Sequence, residues 1–382
     1  MQSANQSPQQ HRREAEQPTV RPFEPADRGG FLDLYEDVWG TRKDAAWFDW
    51  RFGDNPYVDD VPGVVVEQDG AIVGAEPCLV FRLAAGEETV LAYQPADWMV
   101  HSEYRRQGLF SRMTEALLER YDENGPDLYF NFPSEAILPG LESFGWQVLG
   151  RMPAYYRIQD ASALVGATSA SGATATLQRA LGYTGSPLLK GFLSLRNGSA
   201  ADSWTVSRHE QIPVETLIEL YQRSVPEQIH VRRDAAFYGW RFENPRWETT
   251  TYVADRDGDA VAAVVVARES GDLEKVSVLD VLPVDGSAPE ESYEALLSAV
   301  VSDASDVDVI KCGAETMPES VLRGLGFRAD DTFPLSYVSK STTSVVRPAS
   351  GDVEAAGTWE LAGQDVTDPE SWRIQLGDQD VC

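Results

Sequence analysis

The sequence predicts an α/β (α+β) protein made of two tandem copies of one domain, each a mixed, mostly antiparallel sheet flanked by helices. Three observations carry this expectation. The peptide "DAAWFDWRFGDNP" from Asp44 to Pro56 returns as "DAAFYGWRFENP" from Asp234 to Pro245, with an offset of 190 residues at the shared Trp-Arg-Phe. Downstream of each copy two β-rich runs meet at Asp-Gly, "GVVVEQDGAIVGA" from Gly63 and "TYVADRDGDAVAA" from Thr251, which is the strongest short hairpin signal a sequence offers. Each unit then closes on a short helix that ends at glycine before an aromatic residue, "LESFGW" (Leu141 to Trp146) and "LRGLGF" (Leu322 to Phe327).

Taken along the chain, residues 1–19 are polar and are expected to be disordered. The first domain, 20–160, opens with the amphipathic helix "FLDLYEDV" from Phe31, matched by "LIELYQRS" from Leu217 in the second copy. After the hairpin, "VLAYQPADWMV" (Val90 to Val100) reads as one strand. Leu109, Phe110, Met113, Leu117, Leu118 and Tyr121 then fall on one helical face, and "DLYFNF" follows as a strand. Residues 161–200 are a small, polar linker followed by helical segments broken at Gly185-Ser186-Pro187. Residues 201–345 repeat the domain pattern. The last part, 346–382, is entered through "TTSVVRPASGDVEAAG", which reads as a second linker, and ends in "SWRIQLGDQDVC". The alternation of Trp372, Ile374 and Leu376 there predicts a strand docked on the body.

Composition removes several classes of function. The chain of 382 residues carries a formal charge of −29, with 32 basic against 61 acidic residues spread along its length. That opposes binding to nucleic acid or to an anionic membrane. Only five residues are lysine, and a diffuse acidic, lysine-poor surface suits a high-salt, haloarchaeal type of cytoplasm, where screening suppresses self-repulsion. Three widely spaced cysteines and four histidines without HxH or HExxH spacing signal neither a disulfide framework nor a metal site. No apolar run is long enough for a membrane span or a signal peptide core, so a cytoplasmic location is expected. Nothing in the sequence specifies an oligomeric state.

Against this acidic background, "HSEYRRQG" from His101 to Gly108 gathers two arginines and a glycine between a strand and a helix. Such a junction aims backbone N–H groups at one point, the helix dipole adds positive potential, and glycine permits close approach to the backbone. Arg105 and Arg106 add charge at the mouth, so the place suits a pyrophosphate. The second copy has "LDVLPVDGSAPEESYEALLSAV" instead, with Glu290 and Glu291 where arginines would be needed. One anion site per chain is therefore expected, in the first copy.

The order strand, Arg105-x-x-Gly108-x-Phe110, amphipathic helix, strand, "FGW" resembles the GNAT superfamily of N-acetyltransferases, whose motif is Arg/Gln-x-x-Gly-x-Gly/Ala. Phe110 departs from the small final residue. Two such domains with a degenerate second one are also similar to the enhanced-intracellular-survival type of acetyltransferase. The resemblance implies acetyl-CoA as co-substrate and direct attack of a small-molecule or sugar amine on the thioester. It implies that Trp98, Met99 and Val100 present backbone groups to the pantetheine and the thioester carbonyl. Arg105, Arg106, Gln107, Gly108, Leu109, Phe110 and Ser111 would cradle the pyrophosphate, and Ser134 would touch the pantetheine arm.

For proton transfer the family position four residues before the Gly of "FGW" usually holds Tyr, and here it is Leu141. Tyr129, or the Tyr155-Tyr156 pair, is a substitute acid whose alternative role is packing. Asp97 is the candidate base, and the carboxylate of Cys382 is a second, since the chain's own end enters the active site of survival-type relatives. The repeated Trp50-Arg51-Phe52 and Asn55-Pro56 recur in the copy without an anion loop, which favours a structural role. Two other functions compete: a degenerate CoA-binding or interaction module, and a Fem-like aminoacyl transferase, for which the basic surface that transfer RNA needs is missing.

Overall fold

A computed structural model describes residues 17–122, 124–160, 204–271, 273–333, 335–337, 341–349 and 359–380. The expected disorder of residues 1–16, the whole linker and helical region 161–200, and the candidate Cys382 lie outside the described residues. Thr19 already belongs to a strand.

The first copy runs β1 (Thr19–Pro22), α1 (Arg28–Trp39), α2 (Ala45–Phe48), β2 (Gly63–Gln68), β3 (Ala71–Ala85), β4 (Glu88–Pro95), β5 (Met99–Val100), α3 (Leu109–Arg120), β6 (Leu128–Asn131), α4 (Leu138–Glu142), β7 (Gln147–Met152) and β8 (Ala154–Ile158). The second runs β9 (Thr205–His209), α5 (Val214–Arg223), β10 (Ile229–Val231), α6 (Ala235–Arg241), β11 (Glu248–Arg256), β12 (Asp259–Glu269), β13 (Lys275–Leu282), α7 (Glu290–Asp303), β14 (Val309–Gly313), α8 (Glu319–Gly324) and β15 (Arg328–Ala329). After it come β16 (Thr342–Pro348), β17 (Glu360–Leu361), β18 (Gln364–Asp365) and β19 (Trp372–Arg373). The repeated peptide has the same local cause in both places. Asp44 caps α2 by accepting from the Trp47 amide at 2.9 Å, and Asp234 caps α6 by accepting from the Phe237 amide at 2.9 Å.

Each copy builds its own mixed sheet, and the two sheets exchange a strand. The first has the order β1-β2-β3-β4-β6-β16-β7, with β5 and β10 also pairing with β3 and β19 lying on β10. The second has the order β15-β8-β14-β13-β12-β11-β9. Thus β8, from the end of the first copy, lies between β15 and β14 of the second. In return β16 lies between β6 and β7 of the first. The sequence reading of "TTSVVRP" as linker is corrected here: its β-branched residues form a buried central strand. Neither sheet therefore stops at residue 160 or 345. Pro153, which has no N–H to continue a ladder, stands where the chain leaves β7 for the other sheet.

Three apolar layers hold these parts. One lies under α3 in the first copy (Val80, Met113, Leu117), and one under α7 in the second (Val264, Leu297, Ile310). The third is shared, with Phe31, Phe52, Phe81, Phe130, Phe237 and Trp372 in a single cluster between the copies. The Trp-Arg-Phe repeats meet within it. The Trp50 indole donates to the Trp240 carbonyl at 3.0 Å, and the Trp240 indole donates to the Trp50 carbonyl at 2.6 Å. Asn55 donates to the Val80 carbonyl at 3.0 Å while accepting from the Tyr57 amide, so the Asn-Pro turn is a fixed corner. The adjoining arginines, each 1% exposed, reach past the joint to the C-terminal segment. Arg51 donates to the Asp380 carbonyl at 2.8 Å, and Arg241 donates to the Gly377 and Gln379 carbonyls, both at 2.7 Å.

Candidate active site

The segment read as one strand, Val90 to Val100, is broken. β4 ends at Pro95, Asp97 takes a left-handed backbone (φ 49°), and β5 turns aside to pair with Gly74 and Ala75 of β3. β4 and β6 are paired only at Ala92 with Leu128 and Tyr93 with Tyr129. Beyond those pairs the strands part, and the buried Asn131 side chain crosses the gap to donate to the Pro95 carbonyl at 2.7 Å. Two parallel strands that separate over their last residues leave backbone groups without a ladder partner, a ready place for an extended polar ligand.

The anion loop faces this opening. Ser102–Tyr104 forms a 3-10 turn, Arg105 donates to the Val100 carbonyl at 3.0 Å, and Gln107 donates to the Glu103 carbonyl at 3.1 Å. Arg106 (φ 63°) and Gly108 (φ 75°) are both left-handed, which swings the chain into α3 with its first N–H groups uncapped by any side chain. No acidic residue lies in the first turn of α3. Among the described residues neither Arg105 nor Arg106 makes an ion pair, so their charge is not spent on neighbouring glutamates.

A cleft of about 740 Å³ runs along the loop. Trp98, Met99 and Val100 form one wall, and Arg105, Arg106 and Gly108 form the mouth. Leu109, Phe110 and Ser134 line it as well. Gln107 and Ser111 are exposed beside the cleft and do not line it. Trp39 at the end of α1, 56% exposed, is a further lining residue that its sequence context does not announce. Apolar and aromatic side chains with two arginines, and no carboxylate among the lining residues, suit a ligand with an apolar arm and an anionic group.

The opposite face of β4 meets the C-terminal segment. Gln94 donates to the Asp378 carbonyl at 3.0 Å, and Arg51 joins Asp97 (Nε to Oδ2, 2.6 Å) to the Asp380 carbonyl. Asp97 is thus a partner of a buried guanidinium at the point where β4 breaks. Asp380 stands beside it. The residue as a whole is half-buried while its Oδ1 is shielded from solvent without a hydrogen-bond partner, and burial, opposed by Arg51 and reinforced by Asp97, pushes its carboxyl up to about 6. No sequence motif marks Asp380; only the tail's course brings it here.

The candidate tyrosines are placed elsewhere. Tyr129 is fully buried under α3 against Trp146 and Tyr93, away from the cleft lining, and burial drives its phenol far above the usual range. Tyr155 and Tyr156 went with β8 into the second sheet, where the Tyr155 hydroxyl donates to Glu319 at 2.7 Å. Leu141 is fully buried in the same apolar layer as Tyr129. In the second copy α7 begins with Glu290 and Glu291, so its N-terminal turn carries negative charge.

Residues 19–149 match the family model for the acetyltransferase (GNAT) domain. No curated protein matches the sequence. Among solved structures, a GCN5-related N-acetyltransferase from Kribbella flavida aligns over 87% of this chain and 71% of its own, at 15% identity and a TM-score of 0.54. A GCN5-related N-acetyltransferase from Anabaena variabilis aligns over 87% and 73%, at 11% identity and a TM-score of 0.56. A conserved protein from Enterococcus faecalis, described as a probable N-acyltransferase, covers the same shares at 10% identity and a TM-score of 0.58. At these identities the likeness is one of fold, and it extends across both copies. The family match is confined to residues 19–149, and the fold across the described residues is that of two tandem GNAT-like domains.

Proposed function

We propose that the chain is an acetyl-CoA-dependent N-acyltransferase acting on the primary amine of a small molecule or sugar. The observation that carries this reading is the uncapped start of α3, with the ion-pair-free Arg105 and Arg106, opening onto a 740 Å³ cleft at the parting of β4 and β6. Arg105, Arg106 and the N–H groups following Gly108 would hold the pyrophosphate, and the Trp98–Val100 backbone and Ser134 would hold the pantetheine arm. Acetyl-CoA, when bound, supplies the acyl carbon and the thiolate leaving group. On the other face of β4, Asp97 and Asp380 are the candidate proton acceptors for the attacking amine, with Arg51 fixing both. As the amine nitrogen bonds to the acyl carbon, the carbon–sulfur bond breaks and the amine gives up a proton. No group that touches the cleft is assigned as the acid for the thiolate, which leaves as the anion or takes its proton from water.

The charge of −29 fits a small amine acceptor and a salt-rich cytoplasm better than nucleic acid or a membrane surface. Leu141, apolar and buried at the family's usual tyrosine position, favours a second reading, a CoA-binding module without turnover. Calorimetric titration with acetyl-CoA at high salt, followed by acetylation assays over an amine library, tests both. One site per chain with turnover supports the first reading, binding without turnover of any amine supports the second, and two equivalent sites or none would remove the assignment of the loop.

A further inference from the structure

Glu76 on β3 is completely buried beneath α3 and has no part in the chemistry above. Its carboxyl lies 3.1 and 3.4 Å from the Thr114 hydroxyl of α3, which donates to it. The buried indole N–H of Trp98 approaches the same carboxyl without reaching regular hydrogen-bond geometry. The other face of Trp98 belongs to the cleft, where its ring meets Phe110 edge-on at 5.5 Å. Phe110 in turn fills the space toward α4, since a Cβ on Gly140 would come within 2.8 Å of its ring. Glu76 therefore backs the aromatic wall of the cleft at the segment expected to carry the thioester.

Among the described residues no cation offsets this carboxyl. Among the described residues it makes no ion pair, α3 presents Thr114, the β4–β5 break presents Trp98, and the titratable neighbour on its own strand is the buried Cys78. A carboxylate removed from water with only neutral donors around it favours its protonated form. Burial accordingly pushes Glu76 up to about 8.

The geometry points to Glu76 as a positioning residue that supports Trp98 from behind as a neutral acid, so that acetyl-CoA binding in the cleft is coupled to its protonation. The inference rests on the reading of the cleft as the acetyl-CoA site. An anionic ligand in the cleft adds negative charge in front of Trp98, and that favours the protonated form of a carboxyl already removed from water. By linkage, affinity must then fall as Glu76 ionises in the free protein.

The test is acetyl-CoA affinity of the full chain between pH 6.5 and 9.5 at fixed salt, for the native protein and Glu76→Gln. The native affinity is expected to approach a tenfold loss per pH unit above about pH 8, while Glu76→Gln, an uncharged near-isostere, stays flat. Titrations of the ligand itself cancel between the two proteins. Equal pH dependence in both would overturn the proposal. Should neither protein bind at any pH, the cleft reading fails, and tryptophan fluorescence decides the Glu76 contact on its own. A step near pH 8 present in the native chain and absent from both Glu76→Gln and Trp98→Phe supports it, and its absence from the native chain refutes it.

Discussion

Replacing Glu76 by Gln should stabilise the protein, and the gain should grow with pH. The carboxyl has a value of about 8 in the folded chain against an ordinary 4.5. Between those two values the folded state holds a proton that the unfolded chain has released. Stability contributed by this proton is complete below pH 4.5, is lost steadily as pH rises, and is gone above 8. At 1.36 kcal/mol per unit, the native protein forfeits about 3 kcal/mol by pH 7 and about 5 kcal/mol at pH 8 and beyond. Gln carries no such penalty and keeps an acceptor for the Thr114 hydroxyl, so the difference between variant and native stability should trace this slope. Urea unfolding of both proteins at pH 5, 6, 7 and 8, at one salt concentration, reads it directly. Two stability curves that run parallel across this range would show that Glu76 ionises like a solvent-exposed acid, and the argument from its burial would fall.

Three further outcomes are expected. Gly108→Ala should weaken acetyl-CoA binding by about 1 kcal/mol, because the left-handed backbone at φ 75° is costly for any residue with a Cβ; Gly108→Glu should weaken it further through charge, and calorimetry showing native affinity for both would refute the loop's role. Asp380→Asn should lower turnover by about 100-fold or more with acetyl-CoA affinity retained, and should remove an acid limb near pH 6 from the kcat/KM profile; an unchanged profile would return the base to Asp97. A fragment ending at residue 160 lacks β16 and leaves β6 and β7 without their common partner, so it should aggregate in size-exclusion chromatography; a monomeric fragment with cooperative unfolding would refute that dependence.

The features legible in the sequence are those in which one residue does one local job. Asp44 and Asp234 cap helices, Asn55 pins the turn around Pro56, and Gly108 takes a positive φ, so each leaves a mark that survives in a short peptide. The strand exchange leaves no such mark. "AYYRI" and "TTSVVRP" have the composition of strands, but which sheet takes a strand is settled by partners more than a hundred residues away. The break at Asp97 was hidden because Pro95 and Asp97 lie inside an otherwise β-rich run, and the cost of the turn is recovered by long-range bonds from Asn131 and Arg51. Tyr129 misled for a related reason: alternation shows that it faces a layer, but not whether that layer is a cleft or a core. Glu76 and Asp380 carry no motif at all. Their chemistry comes from burial, which only the folded chain supplies.

The retained repeat and the lost loop also explain each other. Glu290 and Glu291 at the start of α7 disfavour an anion there, yet Trp240, Arg241 and Asn244 repeat Trp50, Arg51 and Asn55 of the first copy. Trp240 and Arg241 are instead tied to the first copy and to the C-terminal segment. Trp240 closes the joint with Trp50, and Arg241 holds the tail that sets Asp380 beside Asp97. Strand β16, which follows the second copy, pairs Val345 with Asn131, the residue that spans the parted strands of the site. Buried arginines bound to backbone carbonyls on both sides fix that tail in one register, since moving it by a single residue would strand several donors in an apolar layer. The second copy thus supports the first copy's candidate site from outside the cleft, bracing the joint at Trp50 and holding the segment that sets Asp380 beside Asp97.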